Sequence, residues 1–219
     1  MKGFKTTRIS KSGPNLRVIS LISVIVGLLA WQLIGEFVVG NSLFLATPIS
    51  SVQAMYHLAS HGSLWTDIRV SGEEFLIGFV VASIAGIFIG LLMASSKSIA
   101  AVFQPWVSGF YATPIVALAP LLILWFGVGI TSKVAVVISL VIFPVIINTE
   151  AGLNATDLEL VEAASAFGAT QSEIFKKVSI PSAAPYILTG LRLGIGRGLI
   201  GVVVGELFGS NAGLGFFDK

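Results

Sequence analysis

Long stretches without a charged residue decide what this chain can fold into. Residues 98–132 form a run of 35 residues without Asp, Glu, Lys or Arg. Of all 219 residues, 55% are hydrophobic and 11% are charged, whereas soluble domains carry about 25% charged residues. About 20 apolar residues cross a bilayer as a helix, and lipid solvates their outward faces. The sequence therefore predicts an integral membrane protein.

We predict an all-α polytopic bundle of about five transmembrane helices. Prolines interrupt the run of residues 98–132, which as one helix would be about 52 Å long. We expect its helix to start near Ile99, break around Pro114 and continue through Phe126. Gly127–Lys133 is predicted to be a tight external turn. The other spans are Val18–Val39, Phe75–Ser95, Val134–Asn148 and Pro185–Phe208, with a surface helix over Pro48–His61.

Small residues recur every fourth position in two of these spans. Such a ridge lets two helix backbones approach closely, which predicts helix–helix contact faces. In the second span the ridge is Gly78, Ala82, Gly86, Gly90 and Ala94. In the fifth span there are two ladders, Gly190, Gly194 and Gly198, then Gly201, Gly205 and Gly209.

Basic residues near the span ends predict that the N-terminus is cytoplasmic. Residues 1–17 form a cytoplasmic basic N-terminus, and residues 18–219 form the transmembrane domain. The first span is expected to be a retained anchor, because its uncharged run exceeds a usual signal core. The inside then receives Lys2, Lys5, Arg8, Lys11, Arg17, Lys97, Lys176 and Lys177, and the outside receives Arg69, Lys133 and Lys219.

The sequence lacks the residues that several kinds of chemistry require. The chain has no cysteine, so disulfides, thiolate zinc sites and cysteine nucleophiles are excluded. The formal charge of +2 gives no reason to expect a nucleic-acid partner. No Gly-Lys pair occurs, so a Walker A phosphate loop is absent. Energy for transport must come from another polypeptide or from an ion gradient.

The polar segment Glu150–Pro181 carries the most specific motif. Glu162, Ala163 and Ala164 are followed by three residues and Gly168, then by nine residues and a Val-Ser-Ile-Pro sequence that ends at Pro181. This pattern resembles the EAA loop of the permease subunits of binding-protein-dependent ABC importers. Residues 120–127, 190–193 and 205–215 resemble the taurine/nitrate/sulfonate branch of these permeases.

The resemblance implies a function and a set of partners. Two copies of the permease would line a path for a small solute, of the sulfonate, taurine or nitrate class, in the bacterial inner membrane. ABC ATPase subunits would dock on the loop, and an extracytoplasmic binding protein would deliver the solute. The chain itself would be no enzyme and would bind no cofactor, because ATP and Mg²⁺ would lie on the ATPase.

The loop residues also suggest how docking would work. An alanine-faced helix can lie close in a groove, Gly168 permits a turn with positive φ, and Glu162 offers a carboxylate. A solvated loop helix is the alternative. The rival function is an ion-coupled secondary transporter or channel. A membrane-bound enzyme is a third class, but the sequence offers no set of catalytic residues for it. Family members continue into a further helix, to six spans, so the sequence leaves open whether this chain is C-terminally truncated.

Four other polar features need interpretation, and one of them, Arg197, is left with two alternatives. Arg197, near mid-membrane, attracts an anionic substrate or pairs with carbonyls or an acidic neighbour. Arg192, nearer the cytoplasm, is expected to snorkel. His57 and His61 share a helical face but lack a third metal ligand, so we interpret them as uncoupled. Glu73 and Glu74 are interpreted as an ordinary polar flank of the second span, because adjacent residues do not face each other.

Overall fold

A computed structural model of the chain describes residues 16–41, 44–60, 63–209 and 213–215. The leader residues 1–15, His61 and Lys219 lie outside these ranges, so predictions about them are not tested. The chain divides into two compact units, Met1–Ser63 and Leu64–Lys219. The helices are α1 Leu16–Leu33, α2 Pro48–Ser60, α3 Ser63–Ser95, α4 Lys97–Ala112, α5 Ala119–Phe126, α6 Ile130–Asn154, α7 Leu158–Ala166, α8 Gln171–Ile174 and α9 Ile180–Gly209.

The first unit contains the first predicted span and the predicted surface helix. Helix α1 continues as a π-helical turn over Ile34–Val39, and its apolar side chains are exposed on every face, as expected for contact with lipid. Helix α2 begins after Thr47, whose hydroxyl accepts the Ser50 N–H at 3.2 Å. The Ile49 N–H donates to Gln32 of α1 at 3.3 Å, which holds the two helices together.

The number of spans agrees with the prediction. Within the described residues, four helical segments are long and apolar enough to cross a membrane, and a bent pair makes a fifth. That pair is α4 with the segment Ile115–Phe126, which comprises a 3-10 turn and α5, and it bends by 82°. The bend lies at Pro114, as predicted, because the residue before a proline disfavours helical geometry.

The small-residue ridge of the second span packs α3 against α6. A Cβ atom added at Gly86 would lie 2.9 Å from the Cβ of Val145, so only glycine permits this approach. A Cβ atom added at Gly90 would lie 2.7 Å from the Cβ of Thr149. Ala82 is fully buried in a core cluster with valines of α6. The predicted contact face is therefore confirmed.

Both glycine ladders of α9 also pack against neighbouring helices. A Cβ atom at Gly190 would lie 2.9 Å from the Cβ of Asn148, and one at Gly205 would lie 3.3 Å from Lys133. The last rung, Gly209, faces Ile123 of α5. Helix α6 is thus the central helix of the second unit, with α3 and α9 against it. Close backbone approach maximises van der Waals contact, which holds helices together in lipid.

Two helices begin earlier than the sequence predicted. Helix α3 starts at Ser63 instead of Phe75, and α6 starts at Ile130, so the predicted external turn that ended at Lys133 is shorter. Charged residues do not end a helix when they find partners along it. Arg69 and Glu73, for example, form an exposed i, i+4 ion pair at 2.8 Å within α3.

The interpretation of Glu74 as part of an ordinary polar flank was wrong. Its carboxylate is 1% exposed and accepts a hydrogen bond from the Lys133 ammonium at 2.7 Å. Lys133 was counted as an external charge, but its side chain is 6% exposed. The two residues are 59 positions apart, and the packing of α3 on α6 brings them together. A buried pair of this kind neutralises two charges that could not lie singly in an apolar bundle.

The prediction that Pro181 ends a short helix was also wrong. Helical structure runs from Gln171 to Gly209 without interruption, through α8, a π-helical turn over Phe175–Ser179, and α9. The Ile180 N–H donates to the Phe175 carbonyl in this wider turn. Pro181 comes just after this wider turn, which accommodates the hydrogen bond that its missing N–H cannot make.

A second buried carboxylate joins α9 to α3. Glu206 is 1% exposed, and its oxygens accept hydrogen bonds from the Ser71 hydroxyl at 2.5 Å and from the Gly215 N–H at 2.6 Å. The Gly213 N–H donates to Asp67 at 3.0 Å. Charge-assisted hydrogen bonds of this kind satisfy a carboxylate that water cannot reach. Sequence analysis assigned Glu206 no role, because its partners are distant in the chain.

Candidate functional site

The segment between α6 and α9 contains the motif found in the sequence. Helix α7 starts where the Asp157 carboxylate accepts the Glu159 N–H at 2.9 Å, a side-chain cap. None of the residues of α7 is buried. Helix α7 therefore has leucine and alanine side chains but no face that is buried within this unit.

The chain reverses after α7 through Gly168. Its φ is +81°, so the predicted positive φ is confirmed. The Gly168 N–H donates to the Ser165 carbonyl at 2.9 Å, and the Ala169 N–H donates to the Ala164 carbonyl at 3.1 Å. These two bonds define a Schellman motif, which satisfies the last carbonyls of α7.

Helix α8 starts immediately after this turn and has its own cap. The Thr170 hydroxyl accepts the Glu173 N–H at 3.3 Å, while the Glu173 carboxylate accepts the Thr170 N–H at 3.0 Å. This reciprocal capping box fixes the start of the helix. Lys177, one turn later, pairs with Glu173 at 3.1 Å. The local geometry of the loop is therefore set by its own side chains.

A groove lies between α7 and the following helical segment. It has a volume of about 280 Å³. It is lined by Ala164, Phe167, Gly168, Ala169, Glu173, Ile174, Lys177 and Val178. Two of the predicted docking residues, Ala164 and Gly168, lie in this groove, whereas Glu162 and Ala163 are exposed on α7 outside it. Pro181 lies farther along, in α9.

Phe167 is the residue that sequence analysis missed in this loop. Its side chain is 93% exposed, and it stands at the edge of the groove. A phenyl ring exposed to this extent outside an apolar helix is typical of an interface that a partner covers. Its position at the end of α7, directly before the positive-φ glycine that reverses the chain, is the signal that could have identified it.

A second site lies on an exposed face of the second unit, where α9 passes the end of α4. The Arg197 guanidinium donates to the Tyr111 hydroxyl at 2.9 Å, and its central carbon lies 4.6 Å from the centre of the Tyr111 ring. Cation–π contacts of this kind contribute roughly 0.5–2 kcal/mol, more when shielded from water. The partner of Arg197 is thus a tyrosine of another helix, and this contact does not decide between the two interpretations of Arg197.

The described residues present no other ligand cluster. Within these ranges, no group of three or more His, Asp or Glu side chains is placed to hold a metal ion.

Comparison with known proteins agrees with the fold and the motif. Residues 82–218, more than half of the chain, match the family described as binding-protein-dependent transport system inner membrane component. The chain belongs to this family. Together with the apolar helices, this makes it a multi-pass membrane protein and the permease subunit of an ABC importer.

Individual relatives cover most of the chain. The formylaminopyrimidine transport permease protein ThiX of Halalkalibacterium halodurans is 34% identical over 86% of this chain and 75% of its own length. A Bacillus subtilis protein, SsuC, whose name refers to aliphatic sulfonates transport, is 34% identical over 85% of this chain and 67% of its own. The taurine transport system permease protein TauC of Escherichia coli is 29% identical over 90% and 74%.

Proposed function

We propose that the loop between α6 and α9 is the surface on which an ABC ATPase docks. One observation carries this proposal: α7, Gly168 and Phe167 form an ordered but uncovered structure around an apolar-edged groove. Phe167 is the anchor that would enter the partner, since aromatic residues dominate the energy of interfaces. Ala164 lets the partner approach closely, and the exposed Glu162 offers it a carboxylate.

The helical continuity from Gln171 to Gly209 gives the loop a mechanical role. These 39 residues form one helical segment, which carries Arg197. Movement of the loop, when ATP closes the ATPase subunits, would be transmitted along this segment to the bundle. ATP and Mg²⁺ would lie on the ATPase, and this chain would bind no cofactor and catalyse no reaction itself.

The remaining assignments follow from the family and from charge. The protein lies in the bacterial inner membrane with its N-terminus and the docking loop in the cytoplasm. A second copy of the chain completes the path, and an extracytoplasmic binding protein delivers the solute on the opposite side. The solute is a small anion of the sulfonate, taurine or nitrate class, and Arg197 lies on its path. The family match favours this function over an ion-coupled transporter.

Site-directed cross-linking tests the docking surface. The chain has no cysteine, so a single cysteine at Ala164 can carry a thiol-to-lysine cross-linker without background. In membranes that contain the whole transporter, Ala164→Cys should capture the ATPase subunit. Ser60→Cys, exposed at the end of α2 and predicted to lie outside the cell, is the matched control. Capture from Ser60, or none from Ala164, contradicts the proposal.

A further inference from the structure

We infer that Tyr111 and Arg197 together form a binding subsite for an alkylsulfonate-type oxyanion, at the bend between α4 and α5. This rests on the proposed function, because it places a contact on the solute path. The sequence predicted a contact with the solute for Arg197 alone. The structure adds a second residue, 86 positions away, whose hydroxyl and ring both contact the guanidinium.

The depth of the pair argues against a lipid-facing position. Tyr111 lies about 21 Å along the axis of α4 from Lys97, and Arg197 lies about 18 Å from the end of α9. Arg197 thus lies near the middle of α9, whereas Tyr111 lies at the end of α4, about midway along the bent pair that runs from Lys97 to Phe126. A guanidinium facing hydrocarbon at this depth is strongly unfavourable, so the face that carries the pair must border water, solute or another chain.

The bend beside Tyr111 supports the same conclusion. Thr113 and Pro114, next to Tyr111, are non-helical between α4 and the 3-10 turn. Non-helical backbone at membrane depth occurs where it is buried in protein or lines a cavity. Broken helices of this kind recur at the binding sites of transporters, near the middle of the bilayer.

The donors of the pair define the chemistry of its ligand. Within the described part of the chain, no carboxylate pairs with Arg197, so its positive charge is not neutralised there. The guanidinium has five N–H groups, and the bond to Tyr111 occupies one nitrogen. The remaining fork can hold two oxygens of an oxyanion. The Tyr111 hydroxyl accepts from Arg197, so its own proton can be donated to a third oxygen.

The ring gives the subsite its preference for an organic anion. The Arg197 guanidinium lies over the Tyr111 ring, with its central carbon 4.6 Å from the ring centre. The ring therefore puts an apolar surface next to the cationic fork. An alkylsulfonate matches both parts, because its oxygens suit the fork and its carbon atoms suit the ring.

A charged thiol reagent provides a probe that needs no knowledge of the natural solute. Ser108 is exposed and lies three residues before Tyr111, on the same face of α4. Ser108→Cys can react with a methanethiosulfonate that carries an ethylsulfonate, or with its trimethylammonium counterpart. Each reaction forms a mixed disulfide and releases methanesulfinate. The rate of the sulfonate reagent divided by that of the trimethylammonium reagent reports the preference for an anion. Both rates are measured on purified protein in nanodiscs and are divided by the rates of the same reagents with a free thiol in solution.

The expected result is a preference for the sulfonate that depends on both residues. Adding Arg197→Gln to Ser108→Cys should lower the rate ratio by about tenfold or more, because the positive charge that contacts Tyr111, one helical turn from position 108, is lost. Arg197→Lys should restore part of it. Free ethanesulfonate should slow the sulfonate reagent more than nitrate does, and Tyr111→Phe should weaken this protection. Tyr186→Phe, a partly exposed tyrosine of α9, is the matched control and should change neither quantity.

Three results would overturn the subsite. They are a rate ratio that Arg197→Gln leaves unchanged, a cysteine at position 108 that neither reagent reaches, and equal protection by nitrate and ethanesulfonate. Cross-linking of the ATPase to Ala164→Cys in the same variants separates this inference from the proposed function. If Ala164→Cys still captures the ATPase but the chain shows no preference for the anionic reagent, only the subsite is contradicted. If Ala164→Cys in the otherwise unchanged chain fails to capture the ATPase, the docking proposal is contradicted.

Discussion

Replacing Lys133 by alanine should destabilise the second unit by about 3–5 kcal/mol, because it leaves the Glu74 carboxylate buried without its counter-charge. Glu74 and Lys133 are 1% and 6% exposed, so water cannot take over the lost interaction. The loss should appear as a large drop in the thermal unfolding temperature of the detergent-solubilised protein, together with less protein in the membrane.

The chain contains a matched control for this prediction. Arg69 and Glu73 form an ion pair of nearly the same length, but their side chains are 80% and 52% exposed. Exposed pairs contribute about 0–1 kcal/mol, so Arg69→Ala should change the unfolding temperature little. Combining Lys133→Met with Glu74→Gln should recover much of the stability lost in Lys133→Ala. Equal effects of Arg69→Ala and Lys133→Ala would show that the buried pair does not hold α3 to α6.

The second large effect is expected in the loop, where Gly168→Val and Ala164→Asp should abolish transport without reducing the amount of protein in the membrane. Valine at φ +81° is strained by about 1–3 kcal/mol, which displaces the turn between α7 and α8. Aspartate at position 164 puts a charge into the groove, where a close contact with the ATPase would leave it unpaired. Uptake by cells and capture of the ATPase should fall together.

Gly127 provides the control for backbone strain. Its φ is +78°, and, as at Gly168, no atom lies within 4 Å of an added Cβ. It lies between α5 and α6, on the side opposite the loop in the predicted topology. Since its ψ is 172°, a combination that essentially only glycine adopts, Gly127→Val should carry at least as much strain but leave ATPase capture unchanged. If Gly168→Val and Ala164→Asp both retain full capture and full uptake, the loop is not the docking surface.

Composition and helical periodicity were sufficient to predict most of the fold. A span of about 20 apolar residues, or a proline such as Pro114 within one, has the same physical consequence in any context. The ridge around Gly86 was predictable for the same reason, since small residues at every fourth position allow close approach whichever helix is the neighbour. The positive φ at Gly168 followed from the motif and from the conformational freedom of glycine.

Contacts between distant residues could not be predicted. The pairs Glu74–Lys133 and Tyr111–Arg197 depend on how α3, α6, α4 and α9 are placed side by side, and nothing in their local sequence identifies the partner. Glu74 looked like a polar flank because its neighbour Glu73 is one. Pro181 looked like a helix end because the π-helical turn before it has no sequence signature of its own.

Transport by proteoliposomes tests the central claim most directly. The complete transporter, with ATP trapped on the ATPase side and the loaded binding protein on the other, should take up the labelled solute only when both are present. Dissipating proton and sodium gradients should leave this uptake unchanged. Uptake that proceeds without ATP and the binding protein, and that stops when an ion gradient is removed, would contradict the assignment of this chain as the permease of an ATP-driven importer.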